Sequence, residues 1–179
     1  VLQEQEGPDG LPIRNYFPPA IFKEAAYDFG RTPEMIAFFN EIFGPYPFDA
    51  YGVVVVDQAL GFALETQTLS LFGTRHVDGQ RSSENTVAHE LAHQWFGNSV
   101  SLADWSDIWL NEGFATYASY LWEEHDKGPE IFHDMMRQLY MLLSSAQAVM
   151  EPPGAPPPDD LFNGAVYIRG AMTLHALRQ

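Results

Sequence analysis

The sequence predicts an α+β fold in which a small mixed sheet precedes a helical half, with a cleft between them. Short β-branched apolar runs are confined to the first half of the chain, apolar residues at helical spacing dominate after residue 81, and glycine and proline fall between these segments. Val1 to Pro19 is polar and rich in Pro and Gly, and reads as a lead-in or linker with room for one short extended piece, so residues 20–179 are expected to form the domain. Thr32 as cap, Pro33 in the first turn and Glu34 behind it predict a helix from Pro33 to Phe43, stopped by Gly44-Pro45. Tyr51 to Val56 is too short for a helix and continuously apolar, as in a strand covered on both faces; Thr68 to Phe72 is a second strand. Between them, the glycine-led Gly61 to Glu65 reads as an edge strand with an open backbone. Ser82 or Ser83 can cap a helix from Glu84 to Phe96, ended by Gly97-Asn98. The next runs from about Trp109 to His125, with Asp107 as candidate cap and Lys127-Gly128 as its stop. Pro129 opens another, reaching about Met150, with Ile131, Phe132, Met135, Met136, Leu139 and Leu142 as core positions. Five prolines make Glu151 to Asp160 a loop, and a last helix from about Ala165 is still in register at Arg178-Gln179, so the sequence reads as cut from a longer chain.

Composition narrows the function. The chain has 179 residues, with nine Lys and Arg against 24 Asp and Glu and a net charge of -15, which repels phosphate backbones and anionic lipid. Nucleic acid is thereby disfavoured as a partner. No apolar run reaches the roughly 20 residues of a membrane helix, and Val1 to Gly10 lacks the basic start and apolar stretch of a signal peptide. A soluble chain is expected, cytoplasmic or secreted. Cysteine is absent, so there is no thiol nucleophile or thiolate site, and any metal must sit on His, Asp or Glu.

One constellation meets that requirement. His89-Glu90-Leu91-Ala92-His93 lies on the Glu84 to Phe96 helix, where a four-residue step sets two imidazoles about 40° apart and roughly 6 Å along the axis, close enough to share an ion. Glu90 lies one step on, placed to reach a water on that ion rather than the ion itself. Glu112, within Asn111-Glu112-Gly113-Phe114-Ala115 at the start of the next helix, can be folded back to the same point. Two imidazoles and one carboxylate leave a fourth position open, the arrangement of catalytic rather than structural zinc.

With these residues in view, the sequence resembles the aminopeptidase N-like zinc peptidases, thermolysin-like gluzincins that include leukotriene hydrolase. His89-Glu90-Leu91-Ala92-His93, the 18-residue gap and Glu112 carry the resemblance. Gly61-Phe62-Ala63-Leu64-Glu65-Thr66 is similar to the family's G-x-A-M-E-N exopeptidase motif, with Leu64 for methionine and Thr66 for asparagine, and Tyr167-Ile168-Arg169-Gly170 to its Y-x-K/R-G segment. The resemblance implies a thermolysin-like catalytic domain holding one zinc ion on His89, His93 and Glu112, with Glu90 as general base and acid and Tyr167 as oxyanion donor. It implies that Glu65 binds the substrate's free N-terminal ammonium while the backbone around Gly61 and Ala63 pairs with the peptide. It also implies flanking domains of the same protein, and weak or no activity for the isolated piece. Asp107 and Asn111 are candidates to orient the ligands, and His76, His125, His133 and His175, lacking ligand spacing, read as structural.

Three functions stay open at this stage. The first is a zinc aminopeptidase acting on peptides with a free N-terminus. The second is an endopeptidase or epoxide hydrolase of the same clan, which N-acetylation of a substrate would separate from the first. The third is a catalytically silent interaction domain, which zinc content would test. The side-chain preference at the cleaved residue and the oligomeric state are not encoded in these motifs.

Overall fold

The computed structural model describes residues 1–145 and 152–179. Its sheet has four strands in sequence order: β1 (Leu2–Glu6), β2 (Pro12–Tyr16), β3 (Val53–Val56) and β4 (Ser70–Gly73). β1 and β2 form an antiparallel hairpin, and β3 joins β2 and β4 in parallel, with Val53 opposite Ser70 and Val56 opposite Gly73. The expected α+β class with a small mixed sheet is therefore present.

The hairpin occupies the stretch that sequence patterning reads as a lead-in, and its chemistry explains why. Asn15, fully buried, donates from Nδ2 to the side-chain oxygens of Gln3 and Gln5, 3.1 Å each, and accepts from the Val53 amide at 3.0 Å. Gln3 and Gln5 in turn donate to the carbonyls of Ala26 and Gly30. An amide network thus fills positions where an alternation search looks for apolar side chains.

The expected edge strand is reduced to one contact. Leu64 and Leu71 exchange a pair of backbone hydrogen bonds of 2.9 and 2.8 Å, and the rest of Gly61 to Glu65 is irregular.

Helix α1 (Phe22–Asp28), which the sequence pattern did not reveal, is followed by α2 (Thr32–Phe43), α3 (Glu84–Ala92), α4 (Trp109–Lys127), α5 (Pro129–Ser145) and α6 (Gly170–Arg178). Thr32 does not cap α2 but donates its hydroxyl to the Phe29 carbonyl at 2.8 Å. Asp104 rather than Asp107 caps the short turn before α4, accepting from the Ser106 amide at 2.8 Å. On α5, Phe132 and Met136 are buried as expected, whereas Ile131 and Leu142 are exposed. The extension of that helix to Met150 and the start of the proline loop at Glu151 lie outside the described residues.

The main core gathers Ile13, Phe29, Ile36, Phe39, Phe72, Leu91 and Trp122, each under 2 % exposed. Burial of such a side chain contributes roughly 1.5–3 kcal/mol, which fixes α3 between the sheet, α2 and α4. Polar ties add direction. Arg31 binds Glu84 and Asp126 at 2.7 Å each while lying over the Trp122 ring, joining the starts of α2 and α3 to the end of α4.

Candidate metal centre and active site

Helix α3 ends at Ala92, and His93 is its C-terminal boundary residue, still in right-handed helical conformation. The chain then turns sharply: the Asn98 amide donates to the His93 carbonyl at 2.9 Å, and Gly97 takes a φ of 130° that favours glycine. The turn sends the chain back so that α4 packs along α3 with Glu112 in its first turn.

Three donor atoms converge there. His89 Nε2 and His93 Nε2 are 3.1 Å apart, and Glu112 Oε2 is 3.3 Å from each. A tetrahedral ion with ligand bonds of about 2.0–2.2 Å has ligand-to-ligand edges of roughly 3.3–3.6 Å, at or just below the lower end of which this spacing falls, so the site is of a size for a zinc-like cation. The outer ring nitrogens orient the rings. His93 Nδ1 donates to the Phe96 carbonyl at 3.0 Å, and His89 Nδ1 lies 3.4 Å from the Thr116 hydroxyl, so both rings are oriented with Nε2 toward the shared point.

Electrostatics favour the metal-binding forms of His89 and Glu112. Burial pushes the His89 imidazolium below its ordinary range, favouring the neutral ligand form. Burial also pushes Glu112 up, but its hydrogen bonds to both histidines prevail and hold it at about 2, a carboxylate at any working pH. His93 is pressed down by burial, yet the bond to Glu112 and the charges of Glu112, Glu90 and Glu65 lift it to about 9. A proton there answers the same local excess of negative charge that a cation would. Burial raises Glu90 to about 8, with His93 opposing and Glu65 and Glu112 adding to the rise.

The other sequence candidates fall into place unevenly. Glu65 joins Glu90 and His93 in a second group whose donor atoms lie within 4.8 Å of one another. Tyr167 sits in a single π-helical turn, Ala165–Arg169, begun by Asn163, whose Oδ1 accepts from the Ala165 and Val166 amides. Its ring stacks 6.0 Å from that of His89, and burial with the charges of Glu112, Glu65 and Glu90 raises its hydroxyl far above the ordinary range, so it stays a donor. Ala63 lines a cleft of about 350 Å³ with Phe62, His89, Glu90, Tyr120 and Tyr167. Gly61 is exposed and faces Arg75 instead of lining that cleft. Because Leu64 turns its amide to β4, the Ala63 carbonyl, trans to that amide, turns to the opposite edge. Asp107 is exposed, and the ring nitrogens are met by Thr116 and the Phe96 carbonyl. His125 stacks on Phe38 and His175 meets the Tyr117 hydroxyl, in keeping with structural roles.

The sequence motifs also meet through their glycines. A Cβ on Gly113 would stand 3.0 Å from the Gly170 Cα, so α4 and α6 cross with backbones in contact beside Glu112 and Tyr167. Spacing along the chain carries no sign of this contact, although both glycines stand in singled-out motifs.

Two imidazoles and a facing carboxylate on paired helices, with an open cleft beside them, form a donor set suited to a catalytic metal. The chain belongs to peptidase family M1: the model described as "Peptidase family M1 domain" matches residues 27–179. It is 37% identical over 120 residues, 62% of this chain, to "Aminopeptidase 2" of Candida albicans, and 29% identical over 187 residues, 95% of this chain, to human "Endoplasmic reticulum aminopeptidase 1". Among solved structures, an M1 zinc metallopeptidase from Deinococcus radiodurans superposes with a TM-score of 0.82 at 36% identity over 98% of this chain. A mutant of a Deinococcus radiodurans M1 zinc metallopeptidase bound to a Tyr-Ser-Ala substrate gives 0.81 at 34% identity over 99% of this chain. The chain spans 13% and 20% of the two curated relatives and 39% and 40% of the two solved chains. Among the described residues no helix is long and apolar enough to cross a membrane.

Proposed function

We propose that this chain is the thermolysin-like catalytic part of a longer zinc aminopeptidase, which removes N-terminal residues from peptides with a free amine. The observation that carries the proposal is the convergence of His89, His93 and Glu112 to within 3.3 Å, with Glu90 and Glu65 beside them. His89, His93 and Glu112 would hold a single zinc ion. When bound, zinc supplies a Lewis acid that polarises the scissile carbonyl and acidifies water.

The protein's own groups do the rest. Glu90 accepts the proton of the attacking water on a carboxylate oxygen and returns it to the departing amide nitrogen, acting as base and then acid. Tyr167 donates its hydroxyl to the oxyanion that develops on the attacked carbonyl. The Glu65 carboxylate pairs with the substrate ammonium, and the Ala63 backbone offers hydrogen bonds to the extended peptide. Anchoring the amine beside the reacting centre limits cleavage to the first bond. Flanking domains complete the substrate pocket, as the greater length of the relatives suggests.

Full-length protein loaded with zinc should hydrolyse an aminoacyl reporter and lose that activity when the same reporter is N-acetylated. Equal turnover of both forms would point to the endopeptidase reading, and loss of zinc binding without loss of activity would end the metallopeptidase account.

A further inference from the structure

Between β3 and β4 the segment carrying Glu65 has little support of its own. None of residues 57–69 is buried, and its sheet pairing is the single Leu64–Leu71 bridge. What holds it near the metal centre comes from the turn after α3. Gln94, next to His93 and fully buried, accepts from the Thr68 amide at 2.8 Å through Oε1 and donates from Nε2 to the Thr66 carbonyl at 3.4 Å. The Tyr46 hydroxyl donates to the same Oε1 at 3.5 Å. Asn98 donates from Nδ2 to the Glu65 carbonyl at 2.6 Å, while its own amide is tied to His93. Thr68 holds a left-handed φ of 64°, a conformation that a non-glycine residue keeps only when its surroundings impose it.

We propose that Gln94 and Asn98 are positioning residues that set the distance between the Glu65 carboxylate and the metal centre, and so fix the register in which a free amine is recognised. Both lie within five residues of His93, so the ligand helix and the Glu65 segment are coupled through side chain to backbone bonds, not through the sheet. The Thr66 hydroxyl bonds only within the segment, to the Leu69 carbonyl, which leaves the link across to α3 to Gln94 and Asn98 among the described contacts. The inference rests on the proposed role of Glu65 as amine anchor.

The test uses full-length, zinc-loaded enzyme and compares free-amine and N-acetylated forms of one reporter. Asn98→Ala and Gln94→Met should retain zinc, raise KM for the free amine about tenfold with a smaller change in kcat, and lower the free-amine to acetyl ratio of kcat/KM. In a Glu65→Gln background each should have little further effect on that ratio, because the partner through which they act is gone. Equal loss on both substrates, or full additivity with Glu65→Gln, would overturn the proposal. Should Gln94→Met fail to fold, the half-buried Asn98 site decides the outcome alone. If Glu65→Gln by itself leaves the ratio unchanged, the anchor assignment fails and takes this inference with it.

Discussion

Around His93 the chain is packed from every side: of residues 87–95 all but His89 are buried, and Glu112 opposite is 4 % exposed. Between Asp57 and Leu69, at the other wall of the same cleft, no residue is buried and a few hydrogen bonds hold the backbone. The ligand pair is placed by core packing, which is dense and tolerates little displacement. The segment proposed to recognise the amine is placed by directional bonds that one substitution can remove. On the roles proposed above, the contrast separates two functions: bond cleavage needs donor atoms fixed to a fraction of an ångström, whereas amine recognition works from a wall that can be re-tuned without disturbing the metal site.

The comparison can be broken most severely at the ligands. Glu112→Ala should remove bound zinc and reduce turnover by on the order of 10³-fold or more, since an ion with two imidazoles alone lacks the third protein ligand of a catalytic site. Metal content by atomic absorption checks this; full zinc occupancy in the variant would show that the convergence is not the metal site. Glu90→Gln should keep zinc and the fold while kcat falls about 10²–10⁴-fold, as expected when a general base is removed from an intact centre.

Gly113→Ala sharpens the packed side. The added methyl would meet the Gly170 backbone at 3.0–3.1 Å and must part α4 from α6, displacing Tyr167 more than the histidines. Overpacking of this kind costs about 1–3 kcal/mol, so the melting temperature should fall and kcat should drop about tenfold with zinc retained. A lower melting temperature with unchanged kcat would free Tyr167 from dependence on that crossing. Thr116→Val should act more gently, weakening zinc affinity by about tenfold at most, because it removes only the 3.4 Å contact to His89 Nδ1.

The smallest effect is expected far from the cleft. The Asp126 carboxyl is held below its ordinary value chiefly by its hydrogen bond to Arg31, with burial opposing. A folded-state pKa depressed in this way contributes stability above the unfolded value and loses it as pH falls through the folded one. Asp126→Asn should therefore flatten the decline of the urea midpoint below about pH 4 and change nothing measurable in zinc binding. An unaltered acid profile would show the pair to be neutral for stability.

The two regions also differ in how much of them could be read without coordinates. α2 and α4 are legible because apolar spacing and the stop residues Gly44 and Gly128 are local, whereas α3 ends at Ala92, short of the expected Phe96; the His89 and His93 pair is legible because helical geometry converts a four-residue step into a shared face. The β1–β2 hairpin was not, since its buried positions are filled by Asn15, Gln3 and Gln5, whose mutual hydrogen bonds replace hydrophobic alternation. Gly61 to Glu65 looked like a strand, yet only Leu64 finds a partner in β4. Gln94 and Asn98 carried no signal, because their partners lie about 30 residues upstream.

By itself the sequence determined the chemistry on offer: which side chains can bind a cation, which can move a proton, and that this chain offers no thiol. Those properties belong to residue types and to short-range helical periodicity. Only the tertiary structure decided that Glu112 returns to the two imidazoles, that Gly113 and Gly170 let Tyr167 approach, and that side chains from the α3 turn hold Glu65 in place. Such distances depend on how buried surfaces pack, and packing is a property of the whole chain.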